Sequence, residues 1–225
     1  MNTNIEENIE EKIKLDRAYM NYHKIIDKKL PYKFSYLDEW TLKKSKKLLQ
    51  ETEQIENKEN VKYRVYKRGT LIKVDFGVGL GSEMSQVHFA IVLNNYDNTK
   101  NNVLTVVPLT SKDGKFNLDL QGLVINQLIK RVEKEIIDIG MKEEHNKIKN
   151  SIDEAKFQKL NTLLSYYKNN AKNTYACCSL ITTISKTKII LPINEYDIIG
   201  RVRCSNEVMD KIDKEIVDKF TKIMN

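Results

Sequence analysis

Cysteine, proline and histidine are scarce in this chain of 225 residues, which contains three of each. No C-x-x-C pair occurs, and the spacing of Cys177, Cys178 and Cys204 fits no zinc site. Adjacent side chains point to opposite faces of a strand, so a Cys177–Cys178 disulfide is not expected. We therefore expect buried, reduced thiols, no metal and no other cofactor.

Long apolar runs are also missing, because no stretch of 18 or more apolar residues occurs. Their absence excludes a transmembrane helix. The N-terminus is polar and acidic and lacks the apolar segment of a signal peptide, so we expect a cytoplasmic protein with no membrane partner. A chain of this length can bury a core as one domain with additions or as two small domains.

Positive charge is in excess, with a net charge of +7, but it is unevenly distributed. Residues 1–60 contain twelve basic and twelve acidic residues, so the whole surplus lies in residues 61–225. A basic surplus is compatible with a polyanionic partner, although solvated surface lysines would produce it as well.

Three short apolar runs predict successive strands of a small β-sheet or barrel. They are Leu71–Phe76, Phe89–Leu93 and Val103–Leu109, and Gly-rich or Asn-rich turns separate them. All three are rich in Val, Ile and Leu and are too short for helices. Further strands are predicted over Tyr175–Ile184 and Ile198–Val202.

Apolar residues at helical spacing predict helical additions to this sheet. Two N-terminal helices are expected over residues 4–29 and about 36–55, and Ser35 with Asp38 is a capping-box signal for the second. A helical hairpin that projects from the sheet is expected over about 124–169.

The predicted domains are an N-terminal helical extension, residues 1–60, and a barrel domain, residues 61–225. The barrel domain carries the helical insertion at about 121–172. A terminal helix is expected over Asn206–Met224.

Two blocks of sequence resemble the MazF/PemK family of toxin endoribonucleases, and together they cover about half of the chain. The order and strand context of their landmarks carry the resemblance. In the first block these are Arg68-Gly69, Gly81-Ser82-Glu83 and Pro108-Leu109-Thr110-Ser111, and in the second Thr183-Ile184-Ser185-Lys186, Ile199-Gly200 and the terminal helix.

The resemblance implies an α+β fold built on a small SH3-like β-barrel of the MazF/PemK/CcdB type with a C-terminal helix. It also implies a toxin of a toxin–antitoxin system that cleaves single-stranded RNA without metal. Attack by the ribose 2′-OH would leave a 2′,3′-cyclic phosphate. The implied partners are single-stranded RNA, a cognate antitoxin and a second copy of the chain.

Catalysis in the resembled family is credited to an Arg that opens the second strand and a Thr or Ser that closes the third. The Thr corresponds to Thr110, with Ser111 beside it. The position of the Arg is occupied by His88, and the Pro that usually follows is Phe89. His88 could act as general base or acid, because imidazole titrates near neutral pH, but it is a weaker charge clamp than Arg.

The other candidate site residues are polar or conformationally free residues in the loops and strands of the two blocks. We expect them to bind substrate, although loop structure and ordinary surface exposure would explain them as well. They are Gly81, Ser82, Glu83, Lys112, Thr182, Thr183, Ser185 and Lys186.

Two alternatives stay open because the family's Arg is absent at position 88. One is a non-catalytic toxin that resembles CcdB and binds a protein target such as DNA gyrase. The other is an inactive relative that still binds RNA. A nuclease should depend on His88 and Thr110, whereas a gyrase binder should depend on its terminal helix.

Overall fold

The computed structural model describes residues 2–121, 123–145, 151–169, 173–194 and 196–221. The chain divides into two compact units. The first contains residues 1–61 and 76–86, and the second contains residues 62–75 and 87–225. The first unit therefore combines the N-terminal segment with the loop that follows the first predicted strand.

Two helices form most of the first unit: α1, Asn2–Asp27, and α2, Leu37–Glu56. The predictions of both helices are confirmed, but the predicted capping box is wrong. A 3₁₀ turn, Tyr32–Tyr36, leads into α2, and its hydroxyl residue Ser35 donates to the carbonyl of Tyr32 at 2.7 Å instead of capping the helix. A local turn has thus taken the hydroxyl that the capping box required.

The loop of residues 76–86 is held by the segment between the two helices. Lys33 Nζ donates to the carbonyls of Gly79 and Gly81, each at 2.8 Å. Trp40 covers Gly77, where an added Cβ would lie 1.8 Å from the indole nitrogen. Gly77 also has a φ of +79°, so this position accepts glycine alone on both steric and backbone grounds.

A six-stranded antiparallel sheet forms the centre of the second unit. The strands are β1, Leu71–Asp75, β2, Val87–Val92, β3, Val103–Thr110, β4, Leu118–Asp119, β5, Tyr175–Ala176, and β6, Thr182–Ser185. Their order is β1-β2-β3-β5-β4, and β6 also pairs with β3. The long strand β3 pairs with β2 along one edge and is shared between β5 and β6 along the other.

The fold is α+β, as predicted, but the six described strands do not close into a barrel. A 3₁₀ turn at Cys178–Leu180 divides the predicted strand Tyr175–Ile184 into β5 and β6. The predicted strand Ile198–Val202 is a turn in which Gly200 has a φ of +76°. Single bridges at Thr70–Arg203 and Val74–Ile189 are the only further pairings among the described residues.

The helical insertion contributes to the core of the second unit. It consists of α3, Leu123–His145, and α4, Ser151–Asn169. The expectation of a projecting hairpin is wrong, because apolar residues of both helices share one cluster with the sheet. The buried members from the strands and the insertion include Leu71, Ile91, Val107, Leu109, Leu128, Val132, Leu160, Leu163 and Tyr167.

The terminal helix α5, Asn206–Phe220, packs on the same cluster through Val208, Met209 and Ile212. Ser205 caps it by accepting from the backbone N–H of Val208 at 3.4 Å. The last residues of the predicted helix, 222–224, lie outside the described residues. No described helix is both long and apolar enough to cross a membrane.

Candidate active site

His88 and Thr110 come together because strands β2 and β3 are neighbours. The β2–β3 ladder pairs Ala90 with Pro108 and Val92 with Val106. His88 and Thr110 each lie two residues beyond the Ala90–Pro108 pair, at the same end of the two strands, and both line one cleft. The sheet thus brings together two side chains that are 22 positions apart in sequence.

The imidazole of His88 is half-buried, and its Nδ1 lies 3.1 Å from the carbonyl oxygen of Leu109. Because a carbonyl oxygen only accepts, we assign the proton of this bond to Nδ1. In the neutral ring Nε2 is then the nitrogen with an accepting lone pair. The bond therefore orients the ring and sets the tautomer that a general base requires.

A cleft of about 360 Å³ opens beside these residues. Its lining residues come from strands β1, β2 and β3, from the inserted helices and from the segment after them. The cleft combines hydroxyl, amide, imidazole and ammonium groups with apolar surface. Its lining residues are Lys73, Val87, His88, Phe89, Leu109, Thr110, Ser111, Ile125, Tyr166, Asn173 and Thr174.

The three predicted catalytic residues all line this cleft, whereas Lys112 does not. Thr110 Oγ1 accepts from the backbone N–H of Lys112 at 3.2 Å, which leaves the hydroxyl proton of Thr110 to be donated elsewhere. Ser111 and Lys112 are exposed. Thr110 is therefore the more firmly oriented of the two hydroxyl residues.

Lys73 and Tyr166 also line the cleft, and sequence reasoning missed both. Lys73 is a charged residue between apolar residues of the strand Leu71–Asp75. A charge inside an apolar strand was the sequence feature that could have marked Lys73 as a candidate. Tyr166 lies on α4, 93 positions away in sequence. Nothing in its local sequence indicates that the insertion reaches this cleft.

Gly81, Ser82 and Glu83 belong to the first unit. Glu83 fixes the loop, because its Oε2 accepts from the backbone N–H of Leu80 at 2.9 Å. Gly81 has a φ of +51°, and open space surrounds the position where a Cβ would stand. Gly81 therefore serves the backbone turn.

The predicted residues of the second block lie toward the other end of β3. Thr182 pairs with Val106 and Thr183 with Thr105, so they stand about 13–17 Å along the strand from Thr110, at 3.3–3.4 Å per residue. Thr183 is exposed and Ser185 is half-buried. None of these residues lines the cleft.

Lys186 is buried and forms an ion pair with Asp97. The two side chains are 3% and 0% exposed, and their nitrogen and oxygen atoms are 2.8 Å apart. Burial raises the pKa of the Asp97 carboxyl, but hydrogen bonds from Lys186, the N–H of Tyr66 and Asn101 outweigh it, so the pKa is lower than usual. An ammonium held in this way is not available to an RNA phosphate.

The cysteines are buried or half-buried free thiols, as predicted. Burial raises the pKa of Cys177 and of Cys178 to about 11, and that of Cys204 to about 12. Such thiols are poor nucleophiles at neutral pH. Within the described part of the chain, no three His, Cys, Asp or Glu side chains are grouped so that they could hold a metal ion.

The fold is that of a small sheet protein in which polar side chains at the strand ends line a cleft. Residues 67–220 match the family model described as PemK-like, MazF-like toxin of type II toxin–antitoxin system. The chain belongs to this family, whose members are generally endoribonucleases and have a cognate antitoxin. No match was found among proteins with curated descriptions.

Proposed function

We propose that the chain is an endoribonuclease toxin that cleaves single-stranded RNA without metal, at the cleft between β3 and the insertion. The observation that supports this most directly is the shared location of three residues. His88, Thr110 and Ser111 line one cleft, and the imidazole is oriented by the carbonyl of Leu109. RNA carries its own nucleophile, so the protein must supply positioning, proton transfer and charge stabilisation.

His88 takes part in proton transfer in this proposal. The 2′-oxygen forms a bond to phosphorus as its proton leaves, and the bond from phosphorus to the 5′-oxygen breaks as that oxygen gains a proton. Neutral His88 can accept the first proton at Nε2, or the imidazolium can supply the second. Either role contributes about 10²–10⁴-fold to the rate.

Thr110 and Ser111 stabilise charge on the phosphoryl group. Negative charge builds up on the non-bridging oxygens as the phosphorane forms, and hydroxyl donors aimed at those oxygens lower the barrier. Because Thr110 Oγ1 already accepts from Lys112 N–H, its proton points away from that bond. The exposed Ser111 can add a second donor.

Thr182, Thr183 and Ser185 would contact RNA that flanks the cleaved bond, because they lie along β3 from the cleft. Lys186 is left out of the RNA site on account of its buried ion pair. A homodimer with RNA bound across it, and an antitoxin that covers the same groove, complete the proposal. An acidic antitoxin segment would suit the basic surplus of residues 61–225.

The experiment is cleavage of a long single-stranded RNA in EDTA by the full chain freed of antitoxin, with mapping of the product ends. The variants are His88→Ala and Thr110→Ala. Discrete cuts that end in a 2′,3′-cyclic phosphate and a 5′-hydroxyl, and that both variants lose, would support the proposal. No cleavage by the folded wild-type protein would contradict it.

A toxin that acts only by binding a protein is the second candidate, and the His at position 88 favours it. Such a toxin would use exposed apolar residues of α5, where Val217 and Phe220 are 43% and 59% exposed. Toxicity that survives Thr110→Ala but not Phe220→Ala would identify this candidate. The reverse pattern would identify the nuclease.

A further inference from the structure

The charge of the cleft comes from a residue that the family pattern does not indicate. Of the eleven described residues that line the cleft, Lys73 alone carries a permanent charge, and none is Asp or Glu. The side chain of Lys73 is half-buried on strand β1. Among the described lining residues, an anion that enters the cleft therefore meets one fixed cation and no carboxylate.

Tyr166 holds this cation in place. Lys73 Nζ donates to the hydroxyl oxygen of Tyr166 at 2.7 Å and lies 5.1 Å from the centre of its ring. An ammonium group has three donors, and the hydroxyl takes one of them. Because the partner is a neutral hydroxyl rather than a carboxylate, the positive charge of Lys73 is not cancelled.

The segment that carries Tyr166 is itself anchored. The rings of Tyr166 and Tyr167 meet edge to face with centres 5.4 Å apart. Tyr167 is fully buried, and its hydroxyl donates to Asp197 Oδ1 at 2.6 Å. Asp197 in turn accepts from the backbone N–H groups of Ile193 and Ile199 at 2.9 and 3.0 Å.

The Tyr167 hydroxyl in this network keeps its proton at neutral pH. Burial, and then the hydrogen bond to Asp197, raise the pKa of Tyr167 well above its ordinary value. The hydroxyl therefore stays a donor to the buried carboxylate. Helix α4 is fixed at the residue next to Tyr166, which limits the positions that the Lys73 ammonium can take.

We propose that Lys73 binds a phosphate oxygen of RNA in this cleft and that Tyr166 is its positioning residue, so that the inserted helix completes the site. The inference rests on the proposed function. It identifies Lys73 as the permanent cation of the site, because the imidazole of His88 is not permanently charged. A lysine ammonium is a compact point charge that suits a phosphate oxygen. Its contribution should grow as the phosphorane gains charge.

Binding and cleavage are tested separately, so that failure of this inference can be told from failure of the proposed function. The binding probe is a fluorescent 2′-O-methyl oligonucleotide of mixed sequence, which cannot be cleaved because its 2′-oxygen is blocked. Affinity is measured against salt concentration for wild type, Lys73→Met, Lys73→Arg and Tyr166→Phe. Lys214→Met removes an equal charge from an exposed position on α5 and is the matched control.

Lys73→Met should weaken binding at low salt about tenfold, as expected for a hydrogen bond to a charged group. It should also make the negative slope of log K against log salt less steep by about 0.7, the value for one phosphate contact on a single strand. Lys73→Arg should keep both values closer to wild type, and Lys214→Met should change them less. Tyr166→Phe should weaken binding a few-fold and add little to Lys73→Met, because the hydroxyl acts through Lys73.

An unchanged salt slope in folded Lys73→Met, or an equal loss in Lys214→Met, would overturn the inference even if wild type cleaves RNA. The predicted binding pattern without wild-type cleavage would instead overturn the nuclease proposal and retain the anion site. Thermal unfolding checks each variant. If Lys73→Met does not fold, Lys73→Gln replaces it, since its amide can still contact the Tyr166 hydroxyl.

Discussion

The two ends of strand β3 place lysines in opposite environments. At the Val103 end, Lys186 is buried against the Asp97 carboxylate at 2.8 Å. At the Thr110 end, Lys73 lines an open cleft and is held by the neutral hydroxyl of Tyr166 at 2.7 Å. A lysine whose charge is balanced by a buried carboxylate stabilises the fold. A lysine whose partner is a neutral hydroxyl keeps a positive charge that can attract an anionic ligand.

From this difference and the proposed function, we expect one end of the strand to serve stability and the other to serve RNA cleavage. Changes around Lys186 should therefore alter unfolding more than RNA binding. Changes around the cleft should alter cleavage or binding more than unfolding.

The largest effect is expected at His88. His88→Ala should lower the cleavage rate about 10²–10⁴-fold, because proton transfer is lost. Thr183→Ala, toward the other end of β3, should weaken RNA binding at most about tenfold, the value of one ordinary hydrogen bond. Single-turnover rates at saturating protein separate the two effects. Equal losses of cleavage rate in both variants would contradict the proposed difference between the two ends of β3.

Lys186→Met should lower the free energy of unfolding by about 3–5 kcal/mol, because it leaves the buried Asp97 carboxylate without its cation. Urea unfolding measures this loss. Lys188→Met, at an exposed position two residues on, is the matched control and should have little effect. A fully stable Lys186→Met with a reduced salt slope for RNA would place Lys186 in the RNA site after all.

Asp97→Asn should lower the free energy of unfolding at pH 7 by about 1.5–3 kcal/mol, through loss of charged hydrogen bonds. The pKa of Asp97 is lower in the folded protein than in the unfolded chain, so its contribution is present above the unfolded value. That contribution disappears as pH falls through the folded pKa. Urea midpoints from pH 7 to 3 should therefore converge for wild type and variant, and a gap that widens toward low pH would contradict the assignment.

The smallest effect concerns Cys177, whose N–H donates to the carbonyl of Pro108 beside the cleft end of β3. Its pKa of about 11 means that native protein should be alkylated at pH 8 at least about tenfold more slowly than unfolded protein. Mass spectrometry of the alkylated peptides measures each thiol separately. Rapid labelling of Cys177 in native protein would show that this end of the strand opens to solvent.

Local pattern was enough to predict the regular elements. The three apolar runs became β1, β2 and β3 within one or two residues at most ends, because short runs of Val, Ile and Leu favour strands. Helices α1 and α2 were predicted for the same kind of reason. The role of Ser35 and the division of Tyr175–Ile184 were not predicted. In both places a short local turn replaces the expected structure.

The candidate site was predictable only where the family pattern aligned. His88 and Thr110 were found by position, and the structure places both in the lining of one cleft. Lys73 and Tyr166 were missed because their meeting depends on how α4 packs against the sheet. The ion pair of Lys186 was not predicted either, since its partner Asp97 is 89 positions earlier in the chain.

The most direct test of the central claim is the pH dependence of single-turnover RNA cleavage at saturating protein. If His88 transfers a proton in the cleft, the rate should change with pH between pH 5 and 8 instead of staying constant. His88→Arg should remove that pH dependence while it keeps a cation at the site. A flat wild-type profile, with chemistry rate-limiting, would contradict the role of His88.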